Sequence, residues 1–317
     1  MSKSQVLAFA WLPDGELAQL TAEFRSLEFI DARQPGGGER HLPQAAVAYG
    51  LPPIARLGEA GELRWIQLIS AGVPLDLCPV ARNRKITVTN LSGLYGSSIA
   101  EHALALMVVL ARKLQVAFRN QQHGRWDRNI MRGMSDLQGR TLAIVGLGNI
   151  GQGIARLARA YGMRVLGCRR TDRPCSSVDR LYPRSEMHAM LAEADYVAVA
   201  LPLTTHTEGL LGPAEFQTMK AGVTYINVSR GGVAQEKALL EALRSGRVAA
   251  AGLDVFATEP LPADHPLWTL PQVVISPHVS GEVVNQSTLP VERFKRNLRS
   301  YLAGGQLEGL VNLEWGY

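Results

Sequence analysis

"TLAIVGLGNIGQGIARLARAYGMRVLGCRR", residues 141–170, decides the fold. Its apolar strand run, 141–145, feeds into a glycine turn; the turn opens a segment of helical length, 150–161, and a second strand run follows at 164–168. Strand, tight turn, helix and strand within about 30 residues make a βαβ unit, whose two strands lie parallel. Within "GLGNIG" the three glycines have separate jobs. Gly146 permits the tight turn, Gly148 lets the backbone approach a pyrophosphate, and Gly151 lets helix and strand pack closely. The helix that follows presents unpaired N–H groups and its positive end, so Asn149 and Ile150 join the glycines as candidate contacts of a bound dinucleotide. A lone glycine pattern is weak; the strand before it and "IARLARAYG" after it supply the context.

Toward the C-terminus, strand-like runs recur at 195–201, 223–228, 249–255 and 272–276, with helical-length segments at 185–193 and 235–246. Strands alternating with helices imply one parallel sheet covered on both faces. Toward the N-terminus, "GSSIAEHALALMVVLARKLQ" (96–115) carries Ile99, Ala103, Leu106, Met107, Leu110 and Leu114 at helical spacing, with Ser98 and Glu101 as an S-x-x-E capping box. The polar, arginine-rich stretch 119–140 reads as a connection between domains. In the first hundred residues, "VLAFA" (6–10), "LEFI" (27–30), "AVAYG" (46–50), "LRWIQLIS" (63–70) and "ITVT" (86–89) read as strands, 15–25 as a helix and "QPGGGE" (34–39) as a loop. These make a smaller α/β unit, and a last helical segment, 281–302, returns to it and makes it discontinuous.

A chain of 317 residues accommodates two domains of ordinary size. The net charge of +5 is scattered along it without a basic run, which argues against a nucleic-acid or membrane-surface partner. Three cysteines, Cys78, Cys168 and Cys175, show no CxxC spacing, which argues against a disulfide framework or a metal site. The apolar run "VLAFAWL" ends at Pro13 and Asp14 without a cleavage site, and "ALALMVVLA" (103–111) falls short of the ~20 residues of a membrane helix. A cytoplasmic location is the expectation.

A dinucleotide site reads the adenosine ribose at the end of the second strand, where a carboxylate bonds the 2′-hydroxyl of NAD. Arg169 stands there, followed by Arg170, Thr171 and, in the loop, Arg173. A guanidinium offers a planar fork of donors to a 2′-phosphate, which predicts NADP (NADPH) as the cofactor and NAD as the weaker alternative. The competing reading is a pair of exposed surface arginines.

Three further stretches begin in strand-like runs and end in turn residues: "INVSRGG" (226–232), "GLDVFATEPLP" (252–262) and "VVISPHVSG" (273–281). Strand ends of an open parallel sheet line the ligand crevice, so Arg230, Glu259 and His278 can converge. Taken one at a time, these are as readily a structural histidine and a surface ion pair. Together with "TNLSG…AEHALAL", "LPLTTHT" and "HPLW", in this order and spacing, the chain resembles the D-isomer-specific 2-hydroxyacid dehydrogenase family over nearly its whole length. Formate dehydrogenases, a branch of that group, have glutamine where Glu259 stands.

The resemblance implies an α/β chain: a Rossmann-type doubly wound parallel sheet domain, 97–281, binding dinucleotide, plus a smaller flavodoxin-like substrate domain built from 1–96 and 282–317. It implies His278 as acid/base, Glu259 as its partner and Arg230 as substrate clamp, with His278 also touching substrate. A carboxylate beside an imidazole favours its charged form, and an arginine holds a substrate carboxylate by two points. Leu201, Pro202, Thr207, Val228, Asp254 and Gly281 are implied to line the cofactor groove; Asp254 either meets the nicotinamide amide or caps its turn, and Thr204 lines the groove or holds its loop. "ISAGVPLDL" (69–77) resembles the loop whose Ala71, Gly72 and Val73 N–H groups bind the substrate carboxylate, although Pro74 and Leu75 intervene before Asp76. Trp11 and Tyr95 shape the pocket or pack in the core, and Gln235 replaces an acidic residue usual in the family. The expected activity is NADPH-dependent reduction of a small 2-keto acid, glyoxylate or hydroxypyruvate, to the D-2-hydroxy acid. A phosphite dehydrogenase and a dinucleotide-sensing corepressor are the alternatives, and a homodimer joined through helix 97–115 is the expected assembly.

Overall fold

The computed structural model describes residues 3–34, 37–171, 173–282 and 288–317. Parts of the 34–39 loop and of the 281–302 segment lie outside the described residues. The chain divides into two compact units, one of Met1–Leu94 with Val283–Tyr317 and one of Tyr95–Glu282.

The smaller unit runs β1 (Ser4–Ala8), α1 (Glu16–Glu23), β2 (Leu27–Asp31), β3 (Ala45–Tyr49), β4 (Trp65–Gln67), α2 (Leu77–Arg84) and β5 (Thr87–Thr89), joined by the C-terminal helix Leu289–Leu302. Its five strands are parallel in the order β2-β1-β3-β4-β5, the doubly wound order of flavodoxin-type sheets. Alternation sends Leu7, Ala48, Ile66 and Val88 to one face, against Leu42, Leu57 and Leu77. Val6, Val47, Tyr49 and Trp65 go to the other, against Leu20, Phe294 and Leu298. Both faces are covered, which is why the strands read as continuous apolar runs. Trp11 belongs to neither layer, standing 58% exposed.

The larger unit opens with α3 (Gly96–Ala111) and α4 (Leu114–Gln122), then β6 (Thr141–Val145), α5 (Asn149–Ala160), β7 (Arg164–Arg169), β8 (Arg180–Pro183), α6 (Met187–Glu193) and β9 (Tyr196–Val199). It continues with α7 (Pro213–Thr218), β10 (Val223–Asn227), α8 (Glu236–Arg244), β11 (Val248–Leu253) and β12 (Val273–Ile275). The order β12-β11-β10-β9-β6-β7-β8 places β6 at the point where the winding reverses. In such sheets ligands bind outside the carboxyl ends of the strands, at that point. α3 and α5 cover one face through Ala103, Met107, Ile154 and Ala158; α6, α7 and α8 cover the other through Met190, Phe216 and Leu239. Among the described residues no helix is long and apolar enough to cross a membrane, and all three cysteines are free.

Three expectations need correction, and one strand lay outside them. The helix expected over 96–115 ends at Ala111; Lys113 takes a left-handed φ of 54° and a separate helix, α4, starts at Leu114. Ser98 and Glu101 form no capping box, because the backbone turn begins earlier: Tyr95 is the N-cap, without a side-chain cap, and its carbonyl accepts from Ile99 N–H at 3.1 Å. Residues 119–140 are no linker. They hold the end of α4 and a 3-10 turn, Arg128–Gly133, capped by Asp127, and they stay inside the larger unit. β8 was not anticipated, since a short edge strand with an arginine and a proline reads as loop.

Candidate active site

The glycine turn follows β6. Gly146 has φ 105°, and a Cβ there would meet the Ala200 carbonyl oxygen at 2.6 Å. At Gly151 a Cβ would lie 1.9 Å from the Gly146 carbonyl oxygen, so only glycine lets α5 start against the strand. Gly148 is different: a Cβ would meet nothing within 4 Å. That open space lies at the head of α5, where the first N–H groups lack partners within the helix. Glycine serves the fold at 146 and 151 and leaves room at 148, the arrangement a pyrophosphate fits.

At the end of β7, Arg169 donates from Nε to Thr171 O (3.1 Å) and from Nη2 to Pro174 O (3.2 Å). Two of a guanidinium's five donors therefore hold its own loop. Arg170, Thr171 and Arg173 are exposed around it, and Asp172 lies outside the described residues. Neighbouring Cys168 points into the core, where burial pushes its thiol up to about 11. On the next strand end, Leu201 and Pro202 are half-buried and Thr204 is buried. Thr207 donates to Pro202 O (2.6 Å) and accepts from Thr204 N–H (2.8 Å), so its hydroxyl closes the turn. Thr204 Oγ1 accepts from His206 N–H at 3.2 Å, the loop-holding option of its two readings. Val228 is buried, and Gly281 sits beside Ile99 and Tyr95.

Arg230 follows β10 on a turn built by Asn227, whose Oδ1 accepts from Ser229 N–H (3.1 Å) and whose Nδ2 donates to Arg230 O (3.2 Å). Arg230 Nη1 donates to Ser229 O at 2.7 Å. Burial pulls this guanidinium below its ordinary value, against the opposing pull of the Glu259 charge. Next to it, a Cβ on Gly231 would stand 1.9 Å from the Phe256 carbonyl carbon, so the loop after β10 presses directly on the loop after β11. On that second loop Glu259 is fixed at both oxygens: Oε1 accepts from Phe256 N–H (2.9 Å) and Oε2 lies 2.6 Å from His278 Nδ1. A carboxylate only accepts, so Nδ1 carries a hydrogen and Nε2 is left for proton exchange. The structure thus brings Arg230, Glu259 and His278 onto adjoining loops at the carboxyl end of one sheet.

His278 has a left-handed backbone, φ 55°, uncommon for a residue with a Cβ. Asp254, fully buried after β11, wraps the loop that carries it. Its Oδ1 accepts from Ser276 Oγ (2.6 Å) and Val279 N–H (3.0 Å), its Oδ2 from Ser280 N–H (3.0 Å), and its backbone oxygen from His278 N–H (2.8 Å). Of the two readings of Asp254, this is the turn cap. Behind it, His102 Nε2 on α3 lies 2.8 Å from Ser276 Oγ. Sequence reasoning passed over both His102 and Ser276, although each sits inside a quoted motif, "AEHALAL" and "SPHVSG".

Ala71, Gly72 and Val73 belong to the smaller unit, on the loop after β4. Ser70 Oγ donates to Gly72 O (2.7 Å), Asn90 Nδ2 to Ala71 O (2.8 Å), and Leu91 N–H to Ser70 O (3.0 Å). Its carbonyls are tied back, and among the described residues no group accepts from the Ala71, Gly72 or Val73 N–H. Pro74 and Leu75 turn the chain into α2, with Leu77 N–H donating to Pro74 O at 3.2 Å.

Comparison with known proteins agrees with this geometry. Residues 104–280 match the model of the D-isomer specific 2-hydroxyacid dehydrogenase, NAD binding domain, family. A D-3-phosphoglycerate dehydrogenase of Archaeoglobus fulgidus is 39% identical over 217 residues, 67% of this chain but only 40% of that protein. A glyoxylate reductase of Korarchaeum cryptofilum is 37% identical over 261 residues, 80% of this chain and 78% of that one. The crystal structure of a D-isomer specific 2-hydroxyacid dehydrogenase from Xanthobacter autotrophicus, in complex with NADPH and MES, superposes with TM-score 0.83 at 28% identity, over the whole of both chains.

Proposed function

This chain belongs to the D-isomer specific 2-hydroxyacid dehydrogenase family, and we propose that it is an NADPH-dependent reductase converting a small 2-keto acid, of the glyoxylate or hydroxypyruvate class, to the D-2-hydroxy acid. The observation that carries this reading is the His278 Nδ1–Glu259 Oε2 pair, 2.6 Å, on loops adjoining that of a half-buried Arg230. The nicotinamide, when bound, supplies the hydride. Everything else falls to the chain. Arg230 pairs with the substrate carboxylate through two N–H groups, a charge-assisted fork. In the smaller unit, the Ala71, Gly72 and Val73 N–H groups, from which no described residue accepts, are proposed carboxylate contacts. His278 donates its Nε2 proton to the keto oxygen as negative charge builds there, a role worth roughly 10²–10⁴-fold. Glu259 stabilises the imidazolium and keeps the ring in the tautomer that presents Nε2.

Residues around the glycine turn hold the dinucleotide: Gly146, Gly148, Asn149, Ile150 and Gly151 at the pyrophosphate, with Leu201, Pro202, Thr207, Val228 and Gly281 along the groove. Arg169, Arg170 and Thr171 take the 2′-phosphate, since Arg169 still has donors beyond the two that hold its loop. NADPH in the Xanthobacter relative supports that choice. The unit 95–282 is the dinucleotide domain, and the unit built from both termini is the substrate domain. The homodimer expected through helix 97–115 is proposed instead through side chains that follow it, since α3 buries its apolar side chains within the larger unit. Phe118 on α4, Trp126 in the loop after it and Met131 on the 3-10 turn are 55%, 94% and 62% exposed, large apolar side chains in an arginine-rich segment.

A matrix of cofactors against substrates tests the proposal. With glyoxylate and hydroxypyruvate, kcat/KM for NADPH should exceed that for NADH by about tenfold or more, a difference of ~1.4 kcal/mol. Preference for NADH by that margin overturns the cofactor assignment. Turnover only of phosphite or of D-3-phosphoglycerate overturns the substrate assignment, and NADPH binding without turnover of any acid favours the sensor. Light scattering of the native protein checks the dimer, whose mass should be twice that of the chain.

A further inference from the structure

His102 and Ser276 are 174 residues apart, yet His102 Nε2 lies 2.8 Å from Ser276 Oγ and 3.7 Å from Asp254 Oδ1. A serine hydroxyl has one proton to give, and Ser276 gives it to Asp254 Oδ1 at 2.6 Å. The nitrogen facing the serine must therefore bring its own hydrogen. Direction is fixed along the chain: His102 Nε2–H donates to Ser276, and Ser276 donates to Asp254. At its far end the relay meets the proton donor. The Asp254 carboxylate takes the N–H groups of Val279 and Ser280, and its carbonyl takes that of His278. These three amides hold the backbone at φ 55°, a conformation that costs a non-glycine residue about 1–3 kcal/mol unless its surroundings enforce it.

We propose that His102 is a positioning residue: its Nε2–H, relayed through Ser276, orients the Asp254 carboxylate and so fixes the left-handed backbone that aims His278 Nε2. The inference rests on reading His278 as the proton donor. Without the histidine N–H, the Ser276 hydroxyl is free to turn and give its proton elsewhere, and Asp254 loses the strongest of its contacts to the loop. Hydrogen-bonded chains polarise one another in a buried setting, so removing the outer member weakens the inner bonds. Plain packing makes the opposite demand on His102, since an apolar side chain of similar size would then serve as well.

The test uses the full-length protein and two substitutions. His102→Leu keeps bulk and removes the donor; His102→Gln keeps an N–H at comparable reach. We expect His102→Leu to lower kcat for glyoxylate or hydroxypyruvate about 10–100-fold, the scale of a small misplacement of a reacting group, with KM for NADPH and Tm near wild type. His102→Gln should recover most of that loss. Hydrogen exchange read by mass spectrometry gives a second, activity-free readout: amides of 276–280 should exchange faster in the leucine variant and at the native rate in the glutamine variant. Wild-type kcat and protection in His102→Leu overturn the relay. So does equal impairment of the two variants, or a fall in kcat with unchanged exchange at 276–280. A wild-type protein that reduces no keto acid defeats the functional reading alone, and the exchange comparison still decides the relay.

Discussion

Asp195 and Asp254 stand at opposite ends of the same seven-stranded sheet, one just before β9 and the other just after β11. Asp195 fastens strand beginnings together. Its Oδ2 accepts from Thr141 N–H (2.8 Å), its Oδ1 from the Lys220 ammonium (3.0 Å), and its backbone pairs with Thr141 and Thr224. Asp254 fastens a loop, and the loop is bent into a backbone shape that would not persist alone. The residue type is the same, and both carboxylates are largely sheltered. What differs is the end of the strands they occupy. A carboxylate at the amino ends supports hydrogen bonds the sheet makes anyway, while one at the carboxyl ends supports geometry that only chemistry needs.

Four substitutions break or sharpen this contrast. His278→Gln has the largest expected effect: kcat/KM should fall by about 10²–10⁴-fold with Tm unchanged, since the side chain is 40% exposed and supports no strand. A fall within threefold would remove the proton donor from the scheme. Asp254→Asn turns an N–H₂ toward an N–H of the loop, an unfavourable change of about 1–3 kcal/mol. It should lower both kcat and Tm; loss of Tm alone would reduce Asp254 to the class of Asp195. Arg169→Asp, at the carboxyl end of β7, should cut kcat/KM with NADPH by roughly 10–100-fold, the loss of one charge-assisted pair, and leave Tm in place. Equal losses with NADPH and NADH would count against a 2′-phosphate contact.

Asp195→Asn is the smallest and the most diagnostic. Thermal melts should show a loss of about 1–2 kcal/mol with kcat intact. Burial pushes the Asp195 carboxyl up, but Thr141 N–H and Lys220 together outweigh it, so the folded group titrates below the ordinary carboxylate range. A depressed folded value means its stabilisation is present above the unfolded pKa of ~3.9 and fades as pH falls through the folded one. The Asn variant should therefore lose less Tm than wild type on acidification below about pH 4. A parallel acid limb in the two proteins would show that Asp195 contributes no charge-dependent stability.

How much of this was legible in the sequence follows from how local each constraint is. The glycine turn was readable because sterics force it within six positions: a Cβ at Gly151 collides with the carbonyl of Gly146. The strand runs were readable because a sheet covered on both faces leaves few polar positions. Arg230, Glu259 and His278 were singled out through motif order, yet their meeting depends on strand order, which no short window contains. His102 and Ser276 went unread for the same reason, their bond spanning 174 residues. Asp254 carried two readings because a buried aspartate at a strand end suits either, and only its partners separate them. The break after Ala111 was hidden, since Lys113 adopts its left-handed turn with no glycine or proline to announce it.

The nucleotide turn has one more implication, for how such a chain can change. At positions 146 and 151 even a methyl group has nowhere to go, whereas the side chains at the end of β7 are half-buried at Arg169 and exposed at Arg170 and Thr171. The proposed grip on the diphosphate is thus fixed by geometry, and the proposed discrimination between cofactors hangs on side chains that can be rewritten singly. A lineage built this way can move between the cell's oxidising and reducing pools in a few mutational steps, without ever passing through an ancestor that has lost its hold on the coenzyme.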